Sequence, residues 1–345
     1  MTLRAMTLRA NGMNSFAYNT QRGHAYHKLG TPVDGFGTIE QMLEAAEADY
    51  EVELSTLVAI NPNSGDFVPV QDHYATTRTI KTYDSDNGVF VDRTDILGVV
   101  GKGYTIEQNR EAAQFAYDCV GASSGDAIID TMGVMKNGAE FFAYLRLEPL
   151  VLDPEGVADH MEMGLAIRTS HNGSIALCAY PTAHRLVCYN TVTMSFAQAK
   201  AQNKIVKVRH TRNKDGYKAD AVIALGIAQE LREQFVLDAQ VMMRQEATLG
   251  DVVRTADLLW PIGNDPSKRA ETVRDNRLVI LETLWRNEKN SGGFGATKWS
   301  AWQTIIEYLD HYRGLDEAKR AYASATPDST VSNQKHRAAQ ILLSV

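Results

Sequence analysis

Three side chains near the C-terminus have the types and the spacing of metal ligands. Glu307, Asp310 and His311 in "EYLDHYR" stand at positions i, i+3 and i+4, so a regular α-helix would project them from one face. Carboxylate and imidazole groups bind divalent cations, which can activate water for hydrolysis. The triplet is thus a weak metal candidate. Because the same stretch carries an apolar stripe with Trp302 and Leu309, its polar side is also explained as a plain solvated surface.

Standard catalytic signatures do not occur in the chain. It contains no phosphate-binding G-x-x-x-x-G-K-[ST] loop, no G-x-G-x-x-G turn, no H-E-x-x-H zinc motif and no G-x-S-x-G elbow. The three cysteines are an odd number without a C-x-x-C pair, which argues against a disulfide framework and a structural zinc site. We therefore predict no catalytic residues, no cofactor and no resident metal, and a non-enzymatic role is favoured while an enzyme stays open.

A long stretch of the chain lacks acidic residues. Asp and Glu total 42 of 345 residues and the net charge is −7, a composition that would place about six acids in 52 residues. Residues 163–214, the acid-free window, contain none. Its basic residues are Arg168, Arg185, Lys200, Lys204, Lys207, Arg209, Arg212 and Lys214, with His171, His184 and His210 among them. A segregated basic stretch in an acidic chain is typical of a site for a polyanion.

The window also suggests how a nucleic acid would be held. If "KIVKVRHT" is a strand, Lys207 and Arg209 share one face and two valines share the other. Tyr189 and Phe196 offer aromatic faces on which the bases of a single strand can stack. We predict phosphate contacts from Arg185, Lys204, Lys207, Arg209, Arg212 and Lys214, with Lys335 and Arg337 of the last helix extending the track. The alternative is a basic surface that meets only water.

The first two-thirds of the chain shows the patterns of a β-sheet. Runs such as "YEVELSTLVAI", "FVPVQDHYATTRTI", "GVFVDRTDILGVV" and "AEFFAYLRL" alternate or are rich in β-branched residues, which indicates strands. Asn137-Gly138 and Asn172-Gly173 each separate two such runs, and Asn-Gly at that place predicts a tight hairpin.

Helix signals are few at first and dominate later. Thr38 with Gln41, and Thr105 with Gln108, have the spacing of a capping box and each predict a helix start. From about residue 219 apolar residues recur every three or four positions. The prediction is an α+β fold, with a mainly antiparallel sheet and a few helices in the first two-thirds and a helical C-terminal third.

The same patterns suggest a division into domains. We predict a disordered arm at 1–20, which repeats "MTLRA", an α+β sheet domain at 21–218 with a basic segment at 163–218, and a helical region at 219–345. No run of eighteen apolar residues occurs, and the N-terminus lacks the apolar core of a secretion signal. We therefore expect a cytoplasmic protein with no membrane contact.

Several blocks of the sequence resemble a known family. The segments "ILGVVGKGYTIEQNREAAQF", "MGVMKNGAEFFAYLRL", "PTAHRLVCYNTVTMSFAQA", "KVRHTRN", "GATKWSAWQTIIEYLDHYR" and "KHRAAQILL" follow one another in order. Together they resemble a family of phage/plasmid-like proteins defined by a domain of unknown function, over residues 20–345. One departure is that Tyr26 and His27 stand where such proteins show a Trp before a Lys/Leu-Gly element.

The resemblance implies an origin in a mobile element and a role beside replication and recombination proteins. The layout also looks like that of the phage single-strand annealing proteins of the RecT, Red-beta and Erf kind, with a small sheet, a helix, a basic groove and oligomeric rings. We expect a homo-oligomeric protein that binds single-stranded DNA and anneals strands. Two alternatives stay open: a metal-dependent nuclease or phosphoesterase, and a host-interaction (anti-defence) protein whose basic face meets an acidic partner.

Overall fold

The structure, a computed structural model of the chain, has the predicted α+β fold, with antiparallel-rich sheets and with helices concentrated in the C-terminal part. It describes residues 15–20, 30–35, 37–84, 87–122, 128–147, 150–152, 159–185, 191–192, 206–207, 214–287, 295–314 and 329–344. None of the helices in these ranges combines the length and the hydropathy needed to cross a membrane.

The elements follow one another in the order expected from the sequence patterns. The strands are β1 Ser15–Asn19, β2 Thr31–Val33, β3 Val52–Ile60, β4 Phe67–Asp84, β5 Val89–Gly101, β6 Ile128–Met135, β7 Glu140–Arg146, β8 Leu150–Leu152, β9 Asp159–Ser170, β10 Cys178–Arg185, β11 Thr191–Val192 and β12 Val206–Lys207. The helices are α1 Ile39–Ala45, α2 Asn109–Ala122, α3 Lys214–Arg244, α4 Leu249–Leu259, α5 Lys268–Trp285, α6 Lys298–Glu307, a π-helix Tyr308–Tyr312 and α7 Thr330–Ser344.

The strands pair into two sheets. One has the order β11-β10-β9-β7-β6-β1-β2, with β12 paired to β10 and β8 paired to β9. The other is the antiparallel sheet β3-β4-β5. All seven residues of β7 are buried, which explains why its sequence "EFFAYLR" is apolar on both sides of the strand.

Both Asn-Gly sites lie in turns, as predicted. Lys136, Asn137 and Gly138 have φ angles of 51°, 56° and 85° between β6 and β7, and positive φ is the conformation that Asn and Gly tolerate best. Gly173, between β9 and β10, has a φ of 75°.

One predicted helix start is confirmed and the other is wrong. The Thr38 hydroxyl accepts a hydrogen bond from the Gln41 N–H, and the Gln41 side chain accepts one from the Thr38 N–H, which completes a capping box at α1. Thr105 does not begin a helix, because α2 starts at Asn109. The side-chain amide of Gln108 instead bonds the backbone N–H and C=O of Val52, at 3.0 and 2.9 Å.

Part of the predicted N-terminal arm is a strand. Residues 15–19, assigned to a disordered arm, form β1, which pairs antiparallel with β6 and parallel with β2. Gly133 of β6 permits the first pairing, because a Cβ there would lie 2.4 Å from the Ser15 carbonyl oxygen. Residues 1–14 lie outside the described ranges.

The contacts within the chain divide it into two compact units. The first unit comprises Met1–Arg146, Ala166–Ala179 and Val206–Leu225; the second comprises Leu147–Leu165, Tyr180–Ile205 and Gly226–Val345. Segments of β9, β10 and α3 fall in both units, and the division predicted near residue 218 stays a prediction.

In the first unit, a buried polar cluster holds the β3-β4-β5 sheet. The Tyr50 hydroxyl donates a hydrogen bond to the Gly138 carbonyl at 2.7 Å. The Arg78 guanidinium lies 4.6 Å from the centre of the Tyr50 ring and donates hydrogen bonds to Asp95 and Asn137. The Arg78 guanidinium, which stacks on Tyr50 and donates hydrogen bonds to Asp95 and Asn137, thus connects the turn between β6 and β7 to β4 and β5.

The second unit has one large apolar core. Trp299 and Trp302 of α6 are fully buried with their rings 5.4 Å apart, and Phe235 of α3 packs edge-on against Trp299 at 6.1 Å. The apolar stripe predicted from "KWSAWQTII" therefore faces the core, and the helical pattern of the C-terminal third is explained by this packing.

Candidate nucleic-acid interface

The described part of the acid-free window contributes strands and a helix start. Arg185 is the last residue of β10, and Lys207 lies in β12, where it pairs with Cys178, the first residue of β10. Lys214 is the first residue of α3. An extended conformation at Lys207 agrees with the strand expected for "KIVKVRHT", although β12 is limited to Val206 and Lys207.

The remaining predicted contacts of this window are not described. Lys204, Arg209, Arg212, Tyr189 and Phe196 lie outside the described residues, and for Arg185, Lys207 and Lys214 the backbone alone is described. The common basic face of Lys207 and Arg209 and the stacking of bases on Tyr189 and Phe196 stay predictions.

Arg168, one of the eight basic residues of the window, is internal. Its Nη2 atom lies 2.6 Å from Glu140 Oε2, and both side chains are buried. Lys136 Nζ lies 2.6 Å from the other carboxylate oxygen of Glu140. Arg168 therefore balances a charge inside the first unit, and the charge that remains for a polyanion comes from the other seven basic residues.

His171, another basic-looking residue of the window, adds no positive charge at neutral pH. Its side chain is fully buried, and Nε2 lies 2.9 Å from Asn109 Oδ1, while the Asn109 amide donates a hydrogen bond to the Ala48 carbonyl. Burial, with a smaller effect from the Arg78 charge, lowers the pKa of His171 from 6.5 to about 4. The imidazole is thus a neutral part of the core.

Lys335 is wrongly predicted as a phosphate ligand. Its Nζ atom lies 2.6 Å from Asp310 Oδ1, and both side chains are inaccessible to solvent. The Lys335 carbonyl also accepts a hydrogen bond from Trp302 Nε1 at 2.9 Å. Arg337, two residues further along α7, is exposed. Of the two residues predicted to extend the basic track, the structure therefore leaves only Arg337 accessible to a phosphate.

The weak metal candidate, Glu307 with Asp310 and His311, does not have the arrangement that its spacing suggested. Glu307 ends α6, whereas Asp310 and His311 lie in the π-helix, whose wider turn breaks the i, i+3, i+4 alignment of an α-helix. Lys335 already occupies a carboxylate oxygen of Asp310. Across the described ranges, no group of three or more His, Cys, Asp or Glu residues is arranged to hold a metal ion.

Sequence reasoning missed an acidic concavity in the first unit. Its volume is about 640 Å³, and its acidic lining residues are Glu44, Glu47, Asp49, Glu51 and Glu53. Lys81 is the basic residue of the lining, while Arg110 contacts Asp49 at 3.1 Å from outside it. The run "EAAEADYEVE" was a usable signal, because five of its ten residues are acidic. Such a lining repels phosphates, so a nucleic acid would not bind here.

A nucleophilic thiol is not found among the described cysteines. Cys119 is fully buried in α2, and burial raises the pKa of its thiol to about 12, so the reactive thiolate is absent at neutral pH. Cys178 is half-buried and is not part of a disulfide.

Comparison with known proteins identifies one family. No curated protein and no solved structure matches the chain. A family model does match residues 96–341, a range that extends from β5 to α7 and covers more than half of the chain. The chain therefore belongs to the family defined by the domain of unknown function DUF932.

Proposed function

We propose that this protein binds nucleic acid, with single-stranded DNA as its main ligand, and that it pairs complementary strands. The observation that carries the proposal is the acid-free window, which concentrates basic residues in a chain of net charge −7. Lys and Arg that neutralise phosphates release condensed counterions, and this release favours binding without regard to base sequence.

The distribution of charge along the chain supports this proposal. Acidic residues line the concavity next to β3 and β4, at 44–53, whereas the window at 163–214 has none. A polyanion is thus repelled from one surface and attracted to another segment of the same chain. Removal of Arg168 and His171 from the basic count lowers the available charge but leaves seven Lys or Arg in the window.

The arrangement of elements gives a second line of support. The β3-β4-β5 sheet followed by α2 has the small sheet and the helix of the layout of phage single-strand annealing proteins, whereas the described strands of the basic window, β10 and β12, belong to the other sheet. This support is an analogy of layout, because folds host many functions. With it we propose an origin in a phage or another mobile element and a role in recombination or replication.

A metal-dependent nuclease has less support. The carboxylate that would be central to its metal site, Asp310, is buried and paired with Lys335. We therefore retain strand binding and annealing as the function to test, and we treat cleavage of the oligonucleotide as an outcome that would contradict it.

The direct experiment is a fluorescence-anisotropy titration of the full chain with labelled single-stranded and double-stranded oligonucleotides. It is run at two salt concentrations, with and without Mg²⁺, and the oligonucleotide is inspected afterwards for cleavage. We expect salt-sensitive binding that favours the single strand and leaves it intact. Absence of binding at low salt, or binding without a preference for single strands, would contradict the proposal and favour an acidic protein partner.

A matched pair of variants locates the site. In the first variant Lys207, Arg209 and Arg212 are changed to Ala, and we expect weaker binding with a salt slope lowered by about three. In the control, three exposed basic residues outside the window, Arg254, Lys268 and Arg269, are changed to Ala. Because both variants lose the same net charge, equal losses of affinity would show that the window is not the site.

Annealing is measured separately. Two complementary labelled strands are mixed with the protein, and duplex formation is followed by energy transfer between the labels. A rate above that of the strands alone, lost in the variant of Lys207, Arg209 and Arg212, is the expected result. If the protein binds the strands without accelerating duplex formation, the proposed binding of single-stranded DNA stands and the proposed annealing is contradicted.

A further inference from the structure

The β3-β4-β5 sheet extends beyond the part that packs on the rest of its unit. β4 spans 18 residues, pairs with β3 from Phe67 to Arg78 and pairs with β5 from His73 to Asp84. Its central residues Ala75, Thr76, Thr77 and Arg78 are buried, while both ends are exposed. At about 3.3 Å per residue the strand is roughly 60 Å long. Two stretches of two-stranded ribbon therefore project at its ends.

The first wing is the ribbon of Val58–Ile60 paired with Phe67–Pro69. The side chains of Val58, Ile60, Phe67 and Val68 are exposed by 43 to 71%. No charged residue occurs in β3 after Glu53 or in β4 before Asp72. Pro69 and the register shift between Thr56 and Val58 blunt the strand edges of this wing, but its apolar faces are exposed and carry no charge. Exposed apolar faces of this kind are typical of a surface that meets a partner.

The second wing is the ribbon of Thr79–Asp84 paired with Val89–Thr94. Tyr83, Val89, Phe90 and Val91 are exposed by 41 to 72%, and the rings of Tyr83 and Phe90 form an edge-on pair at 5.4 Å. Within the described residues, neither wing has a third strand. A two-stranded ribbon is at best marginally stable in water, so each wing needs further packing.

The apolar area of the two wings is enough for one specific protein contact. At roughly 200 Å² for a fully exposed large apolar side chain, each wing presents on the order of 400 Å² of apolar side-chain surface. The register places Val58, Ile60 and Phe67 on one face of the first wing, and Tyr83 and Phe90 on one face of the second. Contact between these two faces would bury roughly 600 Å² of apolar surface. At the usual apolar share this corresponds to an interface of about 1,100 Å², just above the size expected of a specific contact.

The charges of the wings argue against a nucleic acid as the occupant. The first wing has no basic residue, and in the second Lys81 and Arg93 are balanced by Asp84 and Asp92. The register places Lys81 opposite Asp92, so these charges can satisfy each other across the ribbon. The wings offer no net positive charge that would attract a polyanion. Their exposed apolar side chains can instead be buried against those of another apolar ribbon.

We propose that the first wing of one copy packs against the second wing of the next, so that this chain assembles head to tail through its β3-β4-β5 sheet. A single kind of contact then covers both wings, which a symmetric contact of one wing with itself would not do. Such a heterologous contact repeats along the assembly and closes into a ring or continues as a filament. The proposal is independent of nucleic-acid binding.

The test is the mass of the full chain in solution, measured by light scattering coupled to size exclusion in the absence of nucleic acid. We expect a mass of twice 38.1 kDa or a higher multiple. Phe67→Glu in the first wing and Phe90→Glu in the second are each expected to yield monomers. Val279→Glu, which adds the same charge at a residue of α5 exposed by 64%, is expected to assemble as the unmodified chain does.

Mixing the two wing variants tests the head-to-tail arrangement. The Phe67→Glu chain keeps an intact second wing and the Phe90→Glu chain an intact first wing, so an equimolar mixture is expected to form dimers that neither variant forms alone. Circular dichroism confirms folding, and Ile60→Lys and Tyr83→Lys replace any variant that fails to fold. A monomeric unmodified chain, a wing variant that still assembles, or a mixture that stays monomeric would each overturn the proposal.

Discussion

Among single residues, the buried pair of Lys335 and Asp310 is expected to stabilise the second unit and not to bind DNA. Lys335→Met leaves the Asp310 carboxylate without its cation in a site closed to solvent. Because the loss of one partner of a buried ion pair is costly, we expect the free energy of unfolding to fall by about 3–5 kcal/mol. Urea unfolding of the purified variant measures this change.

Two further variants separate charge from packing at this pair. Replacing Lys335 with Met and Asp310 with Leu together removes both charges, and we expect most of the lost stability to return. Arg337→Met, on the same helix but exposed, should change the free energy of unfolding by less than about 0.5 kcal/mol. A stable Lys335→Met chain with reduced affinity for DNA would contradict this assignment and restore Lys335 to the basic track.

His171 is expected to make the first unit sensitive to acid. Its pKa is about 4 in the folded chain and 6.5 as the ordinary value, so the unfolded chain binds the proton first as the pH falls. Stability is fully present above pH 6.5 and is lost as the pH falls towards 4, by about 3 kcal/mol at most.

The check is the midpoint of thermal unfolding between pH 7.5 and 4 for the unmodified chain and for His171→Gln. Gln keeps a neutral donor for Asn109 Oδ1 and cannot take up the proton. As the pH falls, the midpoint of the unmodified chain should drop by more than that of His171→Gln, because only the unmodified chain loses the stability contributed by neutral His171. The difference in midpoint between the two chains should therefore shrink or change sign in acid. Parallel pH profiles would show that His171 is not buried as a neutral group.

The partners of individual buried side chains were the feature least predictable from the sequence. The helical pattern identified α7, but the pattern does not say which polar residue meets a buried carboxylate 25 positions earlier in the chain. Lys335 and Arg337 have the same charge in the sequence, and tertiary packing alone separates them. Arg168 is a parallel case, because its pairing with Glu140 across strands cannot be inferred from the composition of the window.

Among the elements, the contact of β5 with the turn between β9 and β10 is expected to depend on a glycine. A Cβ added at Gly98 would lie 2.5 Å from Asn172 Cβ and 2.6 Å from Asn172 Cα, so the backbone of the turn would have to move. We expect Gly98→Ala to lower the free energy of unfolding by about 1–3 kcal/mol, as overpacking does.

Gly101→Ala is the matched control for this prediction, because it adds the same methyl group to the same strand. The nearest atom to a Cβ at Gly101 is the Asp72 carbonyl oxygen at 4.0 Å, an ordinary contact distance. Its effect should be near zero or slightly stabilising, because Ala restricts the unfolded chain. Equal effects of the two substitutions would contradict the close approach of β5 to the turn.

Element types were predictable where a local pattern decides them. The runs of β3 to β7 that alternate or are rich in β-branched and apolar residues indicate strands by local pattern, as the Asn-Gly pairs indicate turns, and the capping box of Thr38 closes within four residues. The failures involve partners distant in sequence. The side chain of Gln108 bonds the backbone of Val52, and α2 begins only after it, at Asn109. Strand β1 pairs with β6 because Gly133 leaves room for the backbone of Ser15. The exposed wings could not be predicted from the sequence either, because an alternating pattern does not show which face of a strand lacks a packing neighbour.

For the whole molecule, assembly and strand binding are expected to reinforce each other if both proposals hold. A ring or filament presents one basic segment per copy, so a long strand can engage several segments at once. Linking binding events in this way raises affinity by roughly 10²–10⁴ without any new contact. Phe67→Glu, which removes assembly, should therefore weaken binding to a long single strand by about 10² or more.

The same variant should bind a short oligonucleotide of about 10 nucleotides as the unmodified chain does, because such a strand occupies a single copy. Val279→Glu carries the same added charge without loss of assembly, so it corrects for the general repulsion of DNA by one more carboxylate. Anisotropy titrations of both variants with both strand lengths make the comparison. Equal losses on short and long strands would place Phe67 in the nucleic-acid site itself, and no loss on the long strand would separate assembly from strand binding.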